Sequence, residues 1–180
     1  MSKISIAIVG FGTIGSGVIQ ILQEQAKIIK KRIGVEVFIK YVVDKDITTP
    51  RSVELLSGVL TDDYKRAIND SEIDVIIELV GGTTFAYQLV EESLQAGKSI
   101  VSANKALLAE RGTDLFELAG KKGQVVGFEA SVAGGIPIIR TVNDAMAGDT
   151  IHAIYGIING TSNFILTKMF EEGWDFSKTL

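Results

Sequence analysis

The stretch IVGFGTIGSGVIQIL, residues 8–22, decides the fold. It begins inside a continuous apolar run, residues 4–9, that is too short for a helix and favours a buried β-strand. The apolar side chains that follow recur at helical spacing. Three glycines, Gly10, Gly12 and Gly15, stand at the junction. The stretch therefore predicts a strand, a tight glycine turn and a helix, in that order.

The spacing of these glycines is typical of a turn that holds a dinucleotide. The first glycine permits the tight turn, the second lets a pyrophosphate approach the backbone, and the third lets helix and strand pack closely. The phosphates would lie at the helix N-terminus, where free N–H groups and the helix dipole favour an anion. A glycine turn with only a structural role is the alternative. The candidate cofactor contacts in the turn are Gly10, Phe11, Gly12, Thr13, Ile14 and Gly15.

The end of the second predicted strand, residues 35–44, bears on the choice of cofactor. Asp44 would accept hydrogen bonds from the adenosine ribose hydroxyls and repel a 2′-phosphate, which favours NAD. Lys45 and Arg51 lie close enough in sequence to bind that phosphate instead, so NADP stays open. Alternatively, Asp44 is a solvent-exposed loop residue without a role in cofactor binding.

Strands and helices alternate along the rest of the chain. Further strands are predicted in DVIIELVGG, GKSIVS and QVVGFEA, and the short connections imply parallel strands with right-handed crossovers. The pattern changes after Glu129, where a strand in TIHAIYGIING and a helix starting at Thr161 or Ser162 follow. We therefore expect an α/β, Rossmann-type doubly wound parallel sheet over residues 1–133 and the beginning of a second, α+β domain over 134–180.

Polar and glycine residues follow the third and fourth predicted strands. In an open parallel sheet the carboxyl ends of the strands line the ligand crevice, so Gly81, Gly82 and Thr83 should border the cofactor. Lys105 faces the same crevice and could be a general acid, a substrate clamp or a cofactor contact. A single lysine is more often an exposed solubilising residue, but its place at a strand end favours a functional role.

Two further residues carry open alternatives. Glu129 ends a strand beside the glycine-rich SVAGG, where a carboxylate and backbone carbonyls could hold a hard cation, or the carboxylate could cap the next helix. His152 is the only histidine, and a strand histidine without a catalytic role is the favoured interpretation.

Bulk composition excludes several classes of protein. The 180 residues carry a net charge of −4, which does not attract nucleic acid or an anionic membrane surface. Zero cysteines exclude disulfides and thiolate chemistry. No apolar run is long enough to span a bilayer, and the N-terminus resembles a first strand rather than a signal peptide. A cytoplasmic protein acting on a small molecule is expected, with neither nucleic acid nor membrane as a partner.

Four segments together resemble one enzyme family. GFGTIGSGV, SANKALLA, FEASVAGGIPIIRTV and GIINGTSNFILTKM look like successive hallmark segments of homoserine dehydrogenases, and they extend from Gly10 to Met169. The third and fourth are the most specific. The resemblance implies a reversible, NADH- or NADPH-dependent interconversion of L-aspartate 4-semialdehyde and L-homoserine, on the route to threonine and methionine.

The resemblance also implies roles for particular residues. Lys105 matches a family lysine at the boundary between cofactor and substrate, and Gly160 and Thr161 match a turn that contacts the substrate. The implied site for a monovalent cation such as sodium combines the Glu129 carboxylate with main-chain oxygens of Val132, Gly134 and Ile136. The second domain would serve substrate binding and dimerisation, and the complete protein would be a homodimer.

The sequence departs from the family in one respect that lowers the expected activity. In the family the substrate domain continues through an acidic segment and a second lysine that is the usual proton donor, whereas this sequence stops at Leu180. The chain is therefore expected to be the N-terminal part of an enzyme, able to bind cofactor with little or no turnover. The alternatives are another amino-acid dehydrogenase, of the type acting on aspartate, and a non-catalytic module that senses NAD(P).

Overall fold

The first of two compact units is built on one parallel sheet. The computed structural model describes residues 3–180 and divides them into a unit that ends at Ile139 and a unit covering Arg140–Leu180. The strands are β1 (Lys3–Val9), β2 (Glu36–Val43), β3 (Leu60–Thr61), β4 (Val75–Glu78), β5 (Ser99–Ser102) and β6 (Val126–Gly127). All pair in parallel in the order β3-β2-β1-β4-β5-β6. The predicted Rossmann-type doubly wound sheet is confirmed.

Helices connect the consecutive strands of the sheet except β2 and β3, which are joined by residues 44–59 without a helix. The helices are α1 (Thr13–Glu24), α2 (Ala26–Ile33), α3 (Tyr64–Asn69), α4 (Thr84–Gln95) and α5 (Lys105–Lys122). α1 and α2 follow one another directly, as a helix that is broken at one residue. Gln25 interrupts it with backbone angles of −101° and 12°, and its N–H still bonds to the Ile21 carbonyl. The order of the strands reverses between β1 and β4, which is where ligands bind in such sheets.

Each face of the sheet buries its own apolar cluster. Ile6 and Ile8 of β1 pack with Ile19 of α1 on one face. Ala7 and Val9, whose side chains point to the opposite face because successive strand residues alternate, pack with a second cluster that includes α4 and α5. The sheet is therefore covered on both sides, and its carboxyl edge is the side on which the glycine turn lies.

The second unit contains helical segments and a stretch without regular secondary structure. The chain enters it through α6 (Ile138–Arg140) and a π-helical turn (Thr141–Ala145), and continues to α7 (Gly160–Glu171) and α8 (Phe176–Thr179). The helix predicted from Thr161 or Ser162 starts slightly earlier, because Asn159 Oδ1 accepts the Ser162 N–H at 2.8 Å and caps α7.

The strand predicted in residues 150–160 is not formed. Residues 150–159 form neither a strand nor a helix, and His152 is exposed with them, so it is not a strand histidine. Ile158 is 100% exposed. A strand needs a neighbour to satisfy its backbone N–H and C=O groups, and Arg140–Leu180 as described contains no strand that could pair with it. Of the elements predicted for the α+β domain, the helices are present in Arg140–Leu180 and the strand is not.

Membrane-spanning helices are not found among residues 3–180. The longest helix, α5, has 18 residues and is charged along its length, so it is not apolar enough to cross a bilayer.

Candidate dinucleotide-binding site

The glycine turn is held at two points of close backbone approach. Gly10 has φ +110°, and its N–H donates to the Val43 carbonyl at 2.8 Å. A Cβ placed on Gly10 would lie 2.5 Å from the Leu79 carbonyl oxygen, and one on Gly15 would lie 2.0 Å from the Gly10 carbonyl oxygen. Both distances are far inside van der Waals contact, so only glycine fits either position.

The middle glycine of the turn faces open space. A Cβ on Gly12 would have no atom of the described chain within 4 Å. Gly12 is also the N-cap residue of α1, and neither a side-chain cap nor an acidic residue in the first turn satisfies the helix N-terminus. The first-turn N–H groups and the positive end of the helix dipole therefore face an open position that suits a phosphate.

Asp44 joins the second strand to the glycine turn. Its Oδ2 accepts the Phe11 N–H at 2.6 Å, and its Oδ1 accepts the Asp46 N–H at 2.9 Å. A carboxylate oxygen has two lone-pair sites, so each oxygen retains acceptor capacity for a ribose hydroxyl. Asp44 is thus a turn-organising residue as well as the predicted ribose acceptor.

Arg51 is hydrogen-bonded to the turn and does not line the cleft. Its Nε donates to the Phe11 carbonyl at 2.8 Å and its Nη1 donates to the Thr49 carbonyl at 2.6 Å. Its Nη2 also lies 3.3 Å from the Asp46 carboxylate. Hydrogen bonds from Thr49 and then from Thr48 hold the pKa of that carboxyl well below its usual range. The guanidinium is engaged with the protein, and Lys45 rather than Arg51 lines the cleft.

A cleft of about 590 Å³ lies at the carboxyl edge of the sheet. Its lining includes Gly10, Gly12, Asp44, Lys45, Gly81 and Phe85. At one wall Tyr64 and Phe85 meet edge to face, with ring centroids 5.1 Å apart. The structure therefore brings the glycine turn, the predicted ribose acceptor and the first residue of the predicted GGT segment to one cavity. Gly82, Thr83 and Lys105 are not part of this lining.

A buried carboxylate at the end of β4 was missed by the sequence analysis. Glu78 is 0% exposed; its Oε1 accepts the Val80 N–H at 3.0 Å and its Oε2 accepts the Ser102 hydroxyl at 2.6 Å. Ser102 Oγ in turn accepts the Asn104 N–H at 3.0 Å. The available signal was a charged residue directly after three apolar strand residues.

Asn104 connects this network to α5. Its Nδ2 donates to the Gly82 carbonyl at 2.7 Å, and its Oδ1 accepts the Leu107 N–H at 3.1 Å and caps the helix. Lys105 is the first residue of that helix and is exposed. The segments after β4 and β5, which carry Gly82 and Lys105, are therefore tied together by hydrogen bonds.

The segment proposed for a cation has an unusual backbone. Ala133, Gly134 and Gly135 follow one another with φ of 54°, 53° and 101°. Glu129 Oε1 accepts the Ile139 N–H at 3.0 Å, so the carboxylate does cap the following helical turn. Within residues 3–180, no group of three or more His, Cys, Asp or Glu side chains could hold a metal ion. A cation here would depend mainly on carbonyl oxygens.

The fold and the turn together define a dinucleotide-binding protein of the Rossmann type. Comparison with family models carries this further. Residues 10–129 match the NAD-binding domain of homoserine dehydrogenase, and residues 137–180 match the following homoserine dehydrogenase domain. The chain belongs to the homoserine dehydrogenase family.

Individual relatives agree with this assignment. Homoserine dehydrogenase of Bacillus subtilis strain 168 is 41% identical over the whole chain, which spans 42% of that relative. A crystal structure of the Thiobacillus denitrificans enzyme gives a TM-score of 0.87 at 38% identity, covering all of this chain and 42% of the other. A hyperthermophilic archaeal homoserine dehydrogenase in complex with NADPH gives a TM-score of 0.78 at 25% identity, covering 98% of this chain and 59% of the other. The chain thus spans about two fifths of its curated relatives.

Proposed function

We propose that this chain is the cofactor-binding part of a homoserine dehydrogenase that transfers hydride between NAD(P) and the pair L-homoserine and L-aspartate 4-semialdehyde. The observation that carries the proposal is the glycine turn, where Gly10 and Gly15 are crowded by backbone oxygens while Gly12 faces open space. Among the three turn glycines, Gly12 is therefore the one whose backbone a diphosphate can approach. Thr13 and Ile14 then contribute first-turn amides of α1, and Phe11 lies between the crowded and the open glycine.

We also propose a division of the chain into two domains, with the boundary a few residues before the Ile139/Arg140 division between the two compact units. Residues 1–133 would form the dinucleotide-binding domain and 134–180 the start of a substrate and dimerisation domain. This boundary lies in the interval between the two family matches, which end at 129 and begin at 137. Homodimerisation and a cytoplasmic location stay predictions.

The chemistry of the reaction assigns tasks to the chain's own residues. The bound nicotinamide supplies or accepts the hydride. Gly81, Gly82 and Thr83 would border its ribose at the end of β4, with Gly81 in the cleft lining. Lys105 would contact cofactor and substrate and stabilise or protonate the developing alkoxide on the former carbonyl oxygen.

A substrate contact is proposed at the start of α7. Gly160 and Thr161 are its first two residues, and Asn159 caps the helix through the amide of the third. The amides of the first two residues remain at the positive end of a 12-residue helix, which suits the carboxylate of an amino-acid substrate.

The proposed function is tested by binding first and turnover second. We expect this chain to bind NADH or NADPH in calorimetry. Homoserine-dependent reduction of NAD and NADP, followed by absorbance, should be compared between this chain and the protein expressed from its complete reading frame. Binding without turnover in either protein would favour a non-catalytic NAD(P)-binding module, and turnover only with another amino acid would favour a different dehydrogenase.

NAD is the proposed preferred cofactor. The carboxylate of Asp44 stands at the predicted ribose site, and Arg51, the other candidate ligand of a 2′-phosphate, is engaged with Phe11 and Thr49. Asp44→Asn keeps an acceptor for the Phe11 N–H, and it removes the charge together with the acceptor for the Asp46 N–H. We expect the ratio of the NADPH to the NADH dissociation constant to fall about tenfold, since a like-charge repulsion is removed.

The control for this substitution is Asp114→Asn, which removes an exposed carboxylate of α5. It should leave the ratio of the NADPH to the NADH dissociation constant within twofold of its value in the unmodified chain. Calorimetric titration of both cofactors into the three proteins measures the ratio. An unchanged ratio in Asp44→Asn would contradict the assignment of Asp44 to the ribose.

A sodium site is proposed at the Glu129 segment, formed by its carboxylate and the main-chain oxygens of Val132, Gly134 and Ile136. One carboxylate and several carbonyl oxygens suit a hard cation of low charge. We expect sodium chloride to raise the midpoint of thermal unfolding by about 3 °C relative to choline chloride at equal ionic strength. Glu129→Gln keeps an acceptor for the Ile139 N–H but should lose this increment. Equal midpoints in both salts for the unmodified chain would refute the site.

A further inference from the structure

Glu78 is a charged side chain in a position where a charge is costly. It is 0% exposed, and a buried carboxylate is retained at low cost only where hydrogen bonds satisfy both oxygens. Here each oxygen receives one donor, the Val80 N–H and the Ser102 hydroxyl. The Val80 N–H belongs to the segment after β4 and the Ser102 hydroxyl to the last residue of β5, both at the edge of the sheet that carries the cleft.

The two bonds require two acceptors on one side chain. A glutamate provides them, since each of its two oxygens accepts one of these bonds. A glutamine in the same place has one oxygen and one NH₂ group, so either the Val80 N–H or the Ser102 hydroxyl would lose its acceptor. The requirement for acceptors on both sides explains why a glutamate rather than an amide residue occupies this position.

The bonds extend beyond the two strands to a closed ring. Val80 and Gly82 belong to the segment after β4, and Asn104 belongs to the segment after β5. Ser102 Oγ accepts the Asn104 N–H, and Asn104 Nδ2 donates back to the Gly82 carbonyl at 2.7 Å. The ring therefore fixes the segment of residues 80–82 relative to the start of α5.

We propose that Glu78 is a positioning residue for the nicotinamide half of the cofactor, because it fixes residues 80–82 and, through Ser102 and Asn104, joins them to the start of α5. The inference rests on the proposed function, since it assumes that a dinucleotide occupies the cleft. The adenosine and diphosphate half would be bound in the same cleft by the glycine turn and Asp44, which contribute no hydrogen bond to the ring.

This division allows a test that needs no turnover. ADP carries the adenosine and diphosphate but neither the nicotinamide nor its ribose. The dissociation constants of ADP and of NADH or NADPH, whichever binds more tightly, are measured by calorimetry on this chain. Glu78→Gln is expected to weaken the dinucleotide about tenfold and to change ADP by less than twofold, since one positioned hydrogen bond is worth about one order of magnitude in affinity.

Ser102→Ala provides a second variant in case Glu78→Gln folds poorly. It removes the hydroxyl that links the ends of β4 and β5. It should also weaken dinucleotide binding without changing ADP binding, but by a smaller factor than Glu78→Gln. Ser93→Ala is the matched control, because Ser93 is equally buried but donates only to the Leu89 carbonyl inside α4. It should change neither constant.

The possible outcomes separate this inference from the proposed function. If the unmodified chain binds neither NADH nor NADPH, the proposed function and the inference both fail. If it binds, but Glu78→Gln and Ser102→Ala leave both constants unchanged or weaken ADP and the dinucleotide equally, Glu78 is only a stabilising residue and the inference alone is wrong. A selective loss for the dinucleotide supports it.

Discussion

Gly15→Ala is expected to lower the free energy of unfolding by about 3 kcal/mol and to abolish dinucleotide binding. The added methyl group would lie 2.0 Å from the Gly10 carbonyl oxygen, which is backbone and cannot rotate away. Either α1 must move off the strand end or the turn must open, and both displace the first-turn amides that would bind the diphosphate. Denaturant unfolding and calorimetric titration with NADH measure the two effects.

Two neighbouring glycines provide matched controls for this effect. At Gly12 and at Gly17 an added Cβ has no atom of the described chain within 4 Å. Gly12→Ala should unfold like the unmodified chain but bind the dinucleotide poorly, because the methyl group occupies the approach of the diphosphate. Gly17→Ala lies inside α1 and should bind normally with equal or slightly higher stability. Unchanged stability and binding in Gly15→Ala would refute the crowded geometry of the turn.

Lys105→Ala is expected to reduce homoserine-dependent turnover about a hundredfold or more while leaving the unfolding midpoint nearly unchanged. The side chain is exposed at the first residue of α5, so little packing is lost. Its proposed task is to stabilise or protonate the alkoxide, and loss of a positioned general acid costs about two to four orders of magnitude. Turnover is measured with NAD in the protein expressed from the complete reading frame.

Lys122→Ala is the control for the lysine prediction. Lys122 is an exposed lysine of the same helix, α5, but it lies in the last turn, at the end away from the cleft edge. Its replacement removes the same charge and should leave turnover within twofold. If Lys105→Ala retains the turnover and cofactor affinity of the unmodified enzyme, Lys105 is a surface residue and the proposed role is wrong.

The parts of the fold that depend on local pattern could be predicted from the sequence. A short apolar run, three spaced glycines and a helical repeat are contiguous in residues 8–22, and they correctly predict β1, the turn and α1. The parallel orientation of the strands also follows, because strands and helices alternate with short connections. The predicted strand in residues 150–160 was wrong because a strand depends on a partner, and apolar periodicity alone cannot supply one.

The contacts at the ends of the strands depend on chain segments that are distant in sequence. Glu78 meets Ser102 across 24 residues, and Phe11 meets Asp44 across 33. Neither spacing belongs to a helical or strand repeat, so periodicity gives no signal for these pairs. The engagement of Arg51 by the turn was missed for the same reason, since its bond to the Phe11 carbonyl spans 40 residues.

The attachment of the glycine turn to its surroundings has a thermodynamic consequence for the ligand. Gly10, Phe11 and Asp44 are joined to one another and to β2 by hydrogen bonds that exist in the free protein. Gly10 and Phe11 therefore do not have to be ordered when the ligand arrives, and less of the interaction energy is lost as backbone entropy. Association should be a single fast step without a slow isomerisation, and the amides of Gly10 and Phe11 should already resist hydrogen exchange before any dinucleotide is added.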